Sequence, residues 1–267
     1  MPRDGSSRLP SPPAEQRPYS SPPPLWGERG RVGGRSKLPS QSYKEWWEQN
    51  VRDLESAKAN VYETRDEEDF RLRGWAGDHL SHGAKQFIEM GGLSKESMVL
   101  EIGCGVARIG RELAPFVKEW HGVDISRQML TYAKQRTRHL PNVAFYELHD
   151  TALPMFDGAM FDFVYCTIVF MHLDKEDVYE YLKESFRVLK PGARSYFDSP
   201  NLLHDQTFEH FLQTQSYNLG DRKVRNRNQY STPQEFRKYL DKVGFEVLDL
   251  REDELIKALC KKPGPST

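Results

Sequence analysis

Two glycines and two carboxylates in the middle of the chain have the types and spacing of a nucleoside-binding site. Gly103 and Gly105 follow the apolar run Met98–Ile102, and residues without a side chain let a ligand approach the backbone. Asp124 lies 19 residues after Gly105, at the end of the next predicted strand. A carboxylate at that position can accept hydrogen bonds from two ribose hydroxyls. With Glu101 just before the glycines, these residues predict a site for a ligand that contains a ribose.

The residues around the glycines distinguish between two kinds of nucleoside ligand. A dinucleotide-binding turn has a third glycine where Arg108 stands, because helix and strand must pack closely there. The acidic Glu101 would repel a pyrophosphate, whereas it suits an ammonium group. A ligand with ribose, adenine, one carboxylate and one ammonium therefore fits better than NAD. An NAD-dependent oxidoreductase and a non-catalytic nucleoside-binding module are the alternatives.

Strands and helices that alternate from residue 98 onward are predicted to position this turn. Such alternation is typical of a mostly parallel sheet with helices on both faces, and ligands bind at the carboxyl ends of its strands. The predicted strands are 98–102, 120–123, 142–148, 161–166, 193–197, 245–250 and 255–260. A turn at Pro191–Gly192 is predicted to precede the fifth of them. The predicted helices are 106–117, 126–138, 174–189 and 232–243. The last three begin near Ser126, Asp174 and Thr232, which are residue types that cap helix N-termini.

Residues 1–40 differ in composition from the rest of the chain. They contain nine of the 17 prolines, and seven Lys or Arg against three Asp or Glu give them a charge of +4. Such a segment buries too little apolar surface to offset its ordering entropy, so we predict a disordered tail. A polyproline ligand at Ser21–Trp26 is the alternative. The tail also lacks the apolar stretch of a secretory signal.

Composition excludes several other classes of protein. The formal net charge of −1 provides no basic excess for nucleic acid, and no apolar run of 18 residues would span a membrane. Three cysteines are too few for a disulfide framework, and none has zinc-ligand spacing. We therefore expect a cytoplasmic protein with no metal, no nucleic-acid partner and no membrane partner.

Two segments are expected to shape the acceptor side of the site. Residues 41–92 show helical periodicity with several tryptophans, and we predict that they form an N-terminal helical lid on the domain 93–262. Residues 201–231 form an insertion with several aromatics and the basic run Arg222–Arg227. We expect both segments to cover the carboxyl ends of the strands. Core packing for the aromatics and a solvated surface for the basic run are the alternatives.

Four motifs, in order, resemble those of the class I S-adenosylmethionine-dependent methyltransferases. Glu101–Gly105 is similar to motif I, and Val123–Ser126 to the ribose-binding strand end that follows it. Leu153–Tyr165 resembles the approach to strand four, and Arg187–Ala193 the RVLKPGG signature before strand five. The small stand-alone methyltransferases of types 11 and 25 are the most similar. The resemblance implies a Rossmann-like, doubly wound α/β fold with seven strands, a C-terminal antiparallel strand, and S-adenosyl-L-methionine as the cofactor.

The same resemblance implies roles for individual residues. Glu101 would meet the methionine ammonium, Asp124 the ribose hydroxyls, and Ile125 the adenine. Asp150 or, alternatively, His149 would meet the adenine amine, while the glycine turn and the end of strand four would line the methionine part and the sulfonium. The predicted cofactor-binding residues are Glu101, Gly103, Cys104, Gly105, Asp124, Ile125, His149, Asp150, Cys166 and Thr167.

No motif identifies the acceptor of the methyl group. Enzymes of this fold that methylate DNA amino groups have an Asp/Asn-Pro-Pro-aromatic motif after strand four, where this chain has Cys166–Val169. No Pro-Cys pair indicates a cytosine-directed nucleophile either. A small-molecule acceptor is therefore expected by elimination. His172, at the mouth of the sheet, is the candidate general base, and a hydrogen-bonded structural histidine is the alternative.

Overall fold

The computed structural model describes residues 43–60, 84–220 and 228–264. The predicted tail, residues 1–40, lies outside these ranges. The described residues form one seven-stranded sheet. Its strands are β1 Met98–Ile102, β2 Glu119–Asp124, β3 Val143–Glu147, β4 Phe161–Cys166, β5 Leu189–Pro200, β6 Glu246–Glu252 and β7 Leu255–Lys261.

Helices lie before the sheet and between its strands. They are α1 Tyr43–Asn50, α2 Leu54–Asn60, α3 Ala84–Gly91, α4 Gly110–Leu113, α5 Arg127–Arg136, α6 Lys175–Val188, α7 Asp205–Gly220 and α8 Pro233–Val243. Two 3₁₀ turns, Ala114–Phe116 and Phe170–His172, supplement them. None of the helices in the described ranges is both long enough and apolar enough to cross a lipid bilayer.

The strand order is β3-β2-β1-β4-β5-β7-β6. The first five strands are parallel to one another, and β7 runs antiparallel to both β5 and β6. This arrangement confirms the predicted doubly wound sheet with a C-terminal antiparallel strand. The chain order reverses between β1 and β4, and the carboxyl ends of these two strands are where a sheet of this kind binds its ligands.

The central strands are apolar on both faces because helices cover both. Leu100 and Ile102 of β1 belong to an apolar cluster with Leu182 of α6, whereas Val99 belongs to a second cluster with Phe87 of α3. Successive residues of a strand point to opposite faces, so β1 is buried on each side. The strand that ends in the glycine turn is therefore held rigidly from two directions.

The helices α1 and α2 pack near the glycine turn. Val51 and Ala57 form a small apolar cluster with Val106 of the turn region and Met129 of α5. A salt bridge between Lys44 and Glu147 adds a polar contact to the end of β3. These contacts place the start of the predicted helical lid beside the sheet. Residues 61–83 of the predicted lid lie outside the described residues, and the described part continues at 84, where α3 begins.

The prediction of a helix over 106–117 is wrong at its start. The chain makes turns after Gly103 and becomes helical only at Gly110. Gly105 and Ala107 have φ values of 52° and 56°, and this left-handed backbone cannot continue a right-handed helix.

The fifth strand is longer than predicted. We expected it to begin at Ala193, after a turn at Pro191–Gly192, but β5 runs from Leu189 to Pro200. Gly192 has a φ of 83°, and the register with β4 shifts at this point of the strand. The expected turn is therefore a bulge within β5, since a glycine in this conformation lets a strand absorb extra residues.

Candidate functional site

A cavity opens at the carboxyl ends of β1, β2 and β4, at the switch in strand order. Its empty volume, with the open mouth included, is about 920 Å³, which is within the range of small-molecule sites. The lining is largely apolar, with two carboxylates and one guanidinium among it. The lining residues are Trp47, Asn60, Glu101, Ile102, Gly103, Cys104, Gly105, Arg108, Asp124, Ile125, Met129, Leu148, Thr167, Ile168, Val169, His172, Leu173 and Tyr181.

The glycine turn is fixed to β2 and to the loop after β4. The N–H groups of Gly103 and Cys104 both donate to the Val123 carbonyl, at 2.9 and 3.0 Å. Gly103 has a φ of 71°, and a Cβ at this position would lie 2.2 Å from Cγ2 of Val169. Glycine is therefore required at 103 by its left-handed backbone and by the close approach of the second loop. The sequence predicted a glycine here so that a ligand could approach the backbone, and Gly103 does line the cavity.

Asp124 ends β2 and ties the turn to the next helix. Its Oδ2 accepts a hydrogen bond from Gly105 N–H at 2.8 Å, and its Oδ1 accepts one from Ser126 N–H at 2.8 Å. Burial raises the pKa of Asp124 to about 6, although these two N–H groups and that of Ile125 lower it. A carboxylate has about four acceptor sites, so these backbone bonds leave it capacity for ligand hydroxyls.

Glu101 lies in β1 as a buried acid that lines the cavity. The Tyr165 hydroxyl donates to its Oε2 at 2.7 Å. Burial raises the pKa of Glu101 to about 8; the Tyr165 hydrogen bond and the Arg108 charge lower it, and Asp124 raises it further. A buried carboxylate of this kind gains most from a cationic ligand group, because the cation offsets the loss of hydration. Glu101 therefore fits an ammonium and disfavours a phosphate.

The loop after β4 has an unusual backbone. Ile168 has a φ of 58°, which is strained for a β-branched residue and costs on the order of 1–3 kcal/mol. Its N–H donates to Oδ1 of Asp198, a buried residue of β5, at 2.7 Å. Burial raises the pKa of Asp198 to about 7, and the Ile168 N–H and the charges of Lys257 and Arg108 lower it. Asp198 thus holds the loop whose residues 167–169 line the cavity.

His172 stands in the second 3₁₀ turn and lines the same cavity. It is 7% exposed, and the edge of its ring meets the Trp47 ring at a centroid distance of 5.4 Å. The N-terminal helices thus contribute Trp47 and Asn60 to the cavity lining, and Trp47 contacts the candidate base. Trp46, by contrast, is buried in the packing of α1.

Most of the residues predicted to bind the cofactor meet in this cavity. Those that line it are Glu101, Gly103, Cys104, Gly105, Asp124, Ile125 and Thr167. His149 and Asp150 are exposed and are not among the lining residues, and the Asp150 side chain instead accepts from Ala152 N–H at 2.8 Å. Cys166 is buried in the core beside the cavity. Burial raises the pKa of the Cys104 and Cys166 thiols, as suits small packing residues rather than nucleophiles.

Several lining residues were not predicted. They include Leu148 and Met129, which provide apolar surface, and Tyr181 of α6. Asp198, which holds the loop after β4, was not predicted as a site residue either. Spacing alone could not reveal its contact with Ile168, since the two lie 30 residues apart.

The insertion 201–231 is largely helical and returns to the turn that carries His172. Within it, His210 Nδ1 and the Tyr230 hydroxyl are 2.9 Å apart, and Gln229 N–H donates to the Met171 carbonyl at 2.7 Å. Its residues 201–215 and 228–231, whose side chains the structure describes, are not among the lining residues of the cavity. The basic run Arg222–Arg227 lies outside the described residues, as do Phe70 and Trp75 of the predicted lid. Among described side chains no cluster of His, Cys, Asp or Glu suits a metal ion.

Part of the chain matches a known protein family. Residues 99–192 match the family described as "Methyltransferase domain". A Bacillus subtilis (strain 168) protein named as a methyltransferase, YqeM, is 33% identical over 107 residues, which are 40% of this chain and 43% of the relative. The chain thus matches less than half the length of that protein. The ubiquinone biosynthesis O-methyltransferase of Coxiella burnetii (strain RSA 331 / Henzerling II) is 24% identical over 170 residues, or 62% of this chain and 70% of the relative.

Solved structures share the fold. The magnesium protoporphyrin IX methyltransferase of Synechocystis PCC 6803, with bound S-adenosylhomocysteine (SAH), matches with a TM-score of 0.61. The match covers 82% of this chain and 99% of that one at 17% identity. At this identity the likeness establishes the architecture.

Proposed function

We propose that this chain, which belongs to the class I S-adenosylmethionine-dependent methyltransferases, transfers a methyl group from S-adenosylmethionine to a small-molecule acceptor by in-line displacement. One observation carries the proposal. The buried carboxylates Glu101 and Asp124 line a single cavity, one on each side of a glycine turn at the switch in strand order. An acid for an ammonium and an acid for ribose hydroxyls are what this cofactor needs, and the buried Glu101 carboxylate would repel a pyrophosphate.

The residues present fit the cofactor. Asp124 would hold the ribose hydroxyls, Glu101 the ammonium, and the apolar surface of Ile125, Met129 and Leu148 the adenine. When bound, S-adenosylmethionine supplies a methyl group that its sulfonium has already activated. The protein's task is then to orient the acceptor and to exclude water, and good orientation alone is worth roughly 7–11 kcal/mol of a reaction barrier.

His172 is the proposed proton acceptor on the acceptor side. It lines the cavity in contact with the Trp47 ring, so a bound acceptor would meet a ring nitrogen in a poorly hydrated place. If it has this role, the His172→Gln variant keeps its affinity for SAH, whereas its turnover falls by about 10²–10⁴-fold. A structural histidine would instead affect stability and affinity together.

A small molecule is the proposed acceptor, and two observations support this choice. The chain lacks the strand-four motif of DNA amino methylation, and the C. burnetii relative is named for ubiquinone biosynthesis, which is small-molecule chemistry.

The cysteines, all free and buried, suit the expected cytoplasmic location.

Calorimetry and a transfer assay test the proposal. The chain is titrated with SAH and with NAD, and it is then incubated with methyl-labelled S-adenosylmethionine and a pool of cellular metabolites. We expect binding of SAH, no binding of NAD, and label in a small molecule. Binding of NAD alone would indicate the oxidoreductase alternative. Binding of SAH without transfer to any metabolite would indicate the non-catalytic module. The Asp124→Ala variant is the matched control for binding at this cavity.

A further inference from the structure

Three buried side chains from neighbouring strands form a chain of hydrogen bonds that ends on Glu101. Trp120 Nε1–H of β2 donates to the Tyr165 hydroxyl at 3.1 Å, and this hydroxyl of β4 donates to Glu101 Oε2 at 2.7 Å. When Glu101 is ionised the direction of donation is fixed, because an indole N–H can only donate and a carboxylate can only accept. The Tyr165 proton is therefore directed to the Glu101 carboxylate.

Packing holds the two aromatic rings in place. The Phe87 ring stacks on the Tyr165 ring at a centroid distance of 4.5 Å. The Trp120 ring occupies the space beside Gly110 and Gly122, where an added Cβ would lie within 2.2 and 2.4 Å of ring atoms. Neither ring can rotate away without disturbing the core. The Tyr165 hydroxyl is therefore held in place against one oxygen of Glu101.

The groups that act on Glu101 come from each element around it. The Tyr165 hydroxyl, the Arg108 charge and the Gly110 N–H lower its pKa, while burial and the Asp124 charge raise it to about 8. The Cys104 and Cys166 thiols are also electrostatically coupled to Glu101. Of the contributions that favour the charged form, the hydrogen bond from Tyr165 is the largest. Its removal leaves the carboxyl group more readily protonated.

We propose that Tyr165, oriented by Trp120, is a positioning residue that keeps the Glu101 carboxylate charged and fixed for the ammonium group of the cofactor. The inference rests on the proposed function, because it concerns recognition of S-adenosylmethionine. In this role, Tyr165 and Trp120 affect how tightly the amino-acid part of the ligand binds and leave the binding of its adenosine part unchanged. Tyr165 touches Glu101 and acts through it.

Calorimetry with two ligands tests the role of Tyr165. SAH carries the ammonium, whereas 5′-methylthioadenosine has the same adenosine and thioether without the amino-acid part. In the Tyr165→Phe variant, which keeps the ring that stacks on Phe87, we expect the Kd of SAH to rise about tenfold, the usual effect of losing a hydrogen bond to a charged group. The Kd of 5′-methylthioadenosine should change by less than about twofold. Tyr196→Phe is the matched control, because Tyr196 is a buried tyrosine of the same apolar cluster, and it should change neither Kd.

The pH dependence separates positioning from simple packing. In the wild-type protein, SAH should bind more tightly as the pH rises towards about 8, since ionisation of Glu101 is required. In Tyr165→Phe this rise should move to higher pH. Trp120→Phe removes the first donor of the chain and, because Phe is the smaller residue, also some core packing. It should shift both properties in the same direction by a smaller factor, and it is the second variant if Tyr165→Phe does not fold.

Each outcome is decisive. An unchanged Kd for SAH in Tyr165→Phe, or an equal loss for both ligands with an unmoved pH profile, overturns the positioning role while the proposed function stands. If the wild-type protein binds neither ligand, the proposed function fails and the inference fails with it.

Discussion

Replacement of Gly103 by alanine tests how the two loops of the cavity are joined. The added Cβ would lie 2.2 Å from Cγ2 and 3.1 Å from Cγ1 of Val169, and the backbone would keep its φ of 71°. Two separate costs are therefore expected. One is conformational and belongs to residue 103 alone, whereas the other is steric and involves Val169 as well.

The size of each cost follows from the geometry. An alanine in left-handed backbone costs about 1–2 kcal/mol more than a glycine. Overpacking of a buried contact costs about 1–3 kcal/mol. Gly103→Ala should therefore lower the free energy of unfolding by roughly 2–5 kcal/mol. Val169→Ala removes both of the methyl groups that the new Cβ would meet and leaves only the contact with Val169 Cβ at 3.3 Å. In the double variant the steric cost should therefore largely disappear, whereas the conformational cost and the cost of Val169→Ala itself should persist.

A double-mutant cycle measured by chemical denaturation separates the two costs. We expect a favourable coupling of about 1–3 kcal/mol between Gly103→Ala and Val169→Ala. Losses of stability that simply add, within about 0.5 kcal/mol, would refute the reasoning, because they would show that the side chain at 103 does not meet Val169.

Three further predictions concern the acids of the site. Asp124→Ala should weaken SAH binding by about 2–4 kcal/mol in calorimetry. It should also lower the melting temperature, because the N–H groups of Gly105 and Ser126 lose their acceptor. A folded variant with unchanged SAH affinity contradicts the assignment of Asp124 to the ribose. Asp198→Ala should lower the free energy of unfolding by about 1–3 kcal/mol. Asp198→Asn should keep most of the wild-type stability, since an amide oxygen can still accept the Ile168 N–H. Equal losses in the two variants would show that this hydrogen bond matters little. The folded pKa values of Glu101, Asp124 and Asp198 lie above their unfolded values, so each of these acids should make the ligand-free protein less stable as the pH rises from about 4 to 8. Glu101→Gln should therefore reduce the loss of stability towards pH 8 relative to the wild-type protein, and an identical pH dependence in the variant and the wild-type protein would refute this contribution.

Local patterns predicted much of the fold. The bounds of β1 and β4 were predicted to the residue, because each is a short apolar run that ends at turn residues. The helix starts at Ser126 and Thr232 were also predicted, and both side chains accept the expected backbone N–H. The helix predicted from Val106 failed because the left-handed backbone of Ala107 cannot be read from a residue type that favours helices.

The sequence allowed us to predict those residues of the site that lie within its consecutive motifs. Glu101 and Asp124 could be assigned because each ends or nearly ends a strand beside the glycines. The contacts of Tyr165 with Glu101 and of Asp198 with Ile168 could not, since they depend on which strands are neighbours and on their register. A pattern within one strand does not contain that information.

A crystal structure of the chain with bound SAH is the sharpest test of the proposed site. We expect the ligand in the cavity between β1, β2 and β4, with its ribose hydroxyls within hydrogen-bond distance of the Asp124 carboxylate and its ammonium beside Glu101. A ligand bound elsewhere, or bound in this cavity with its ammonium turned away from Glu101, would contradict it.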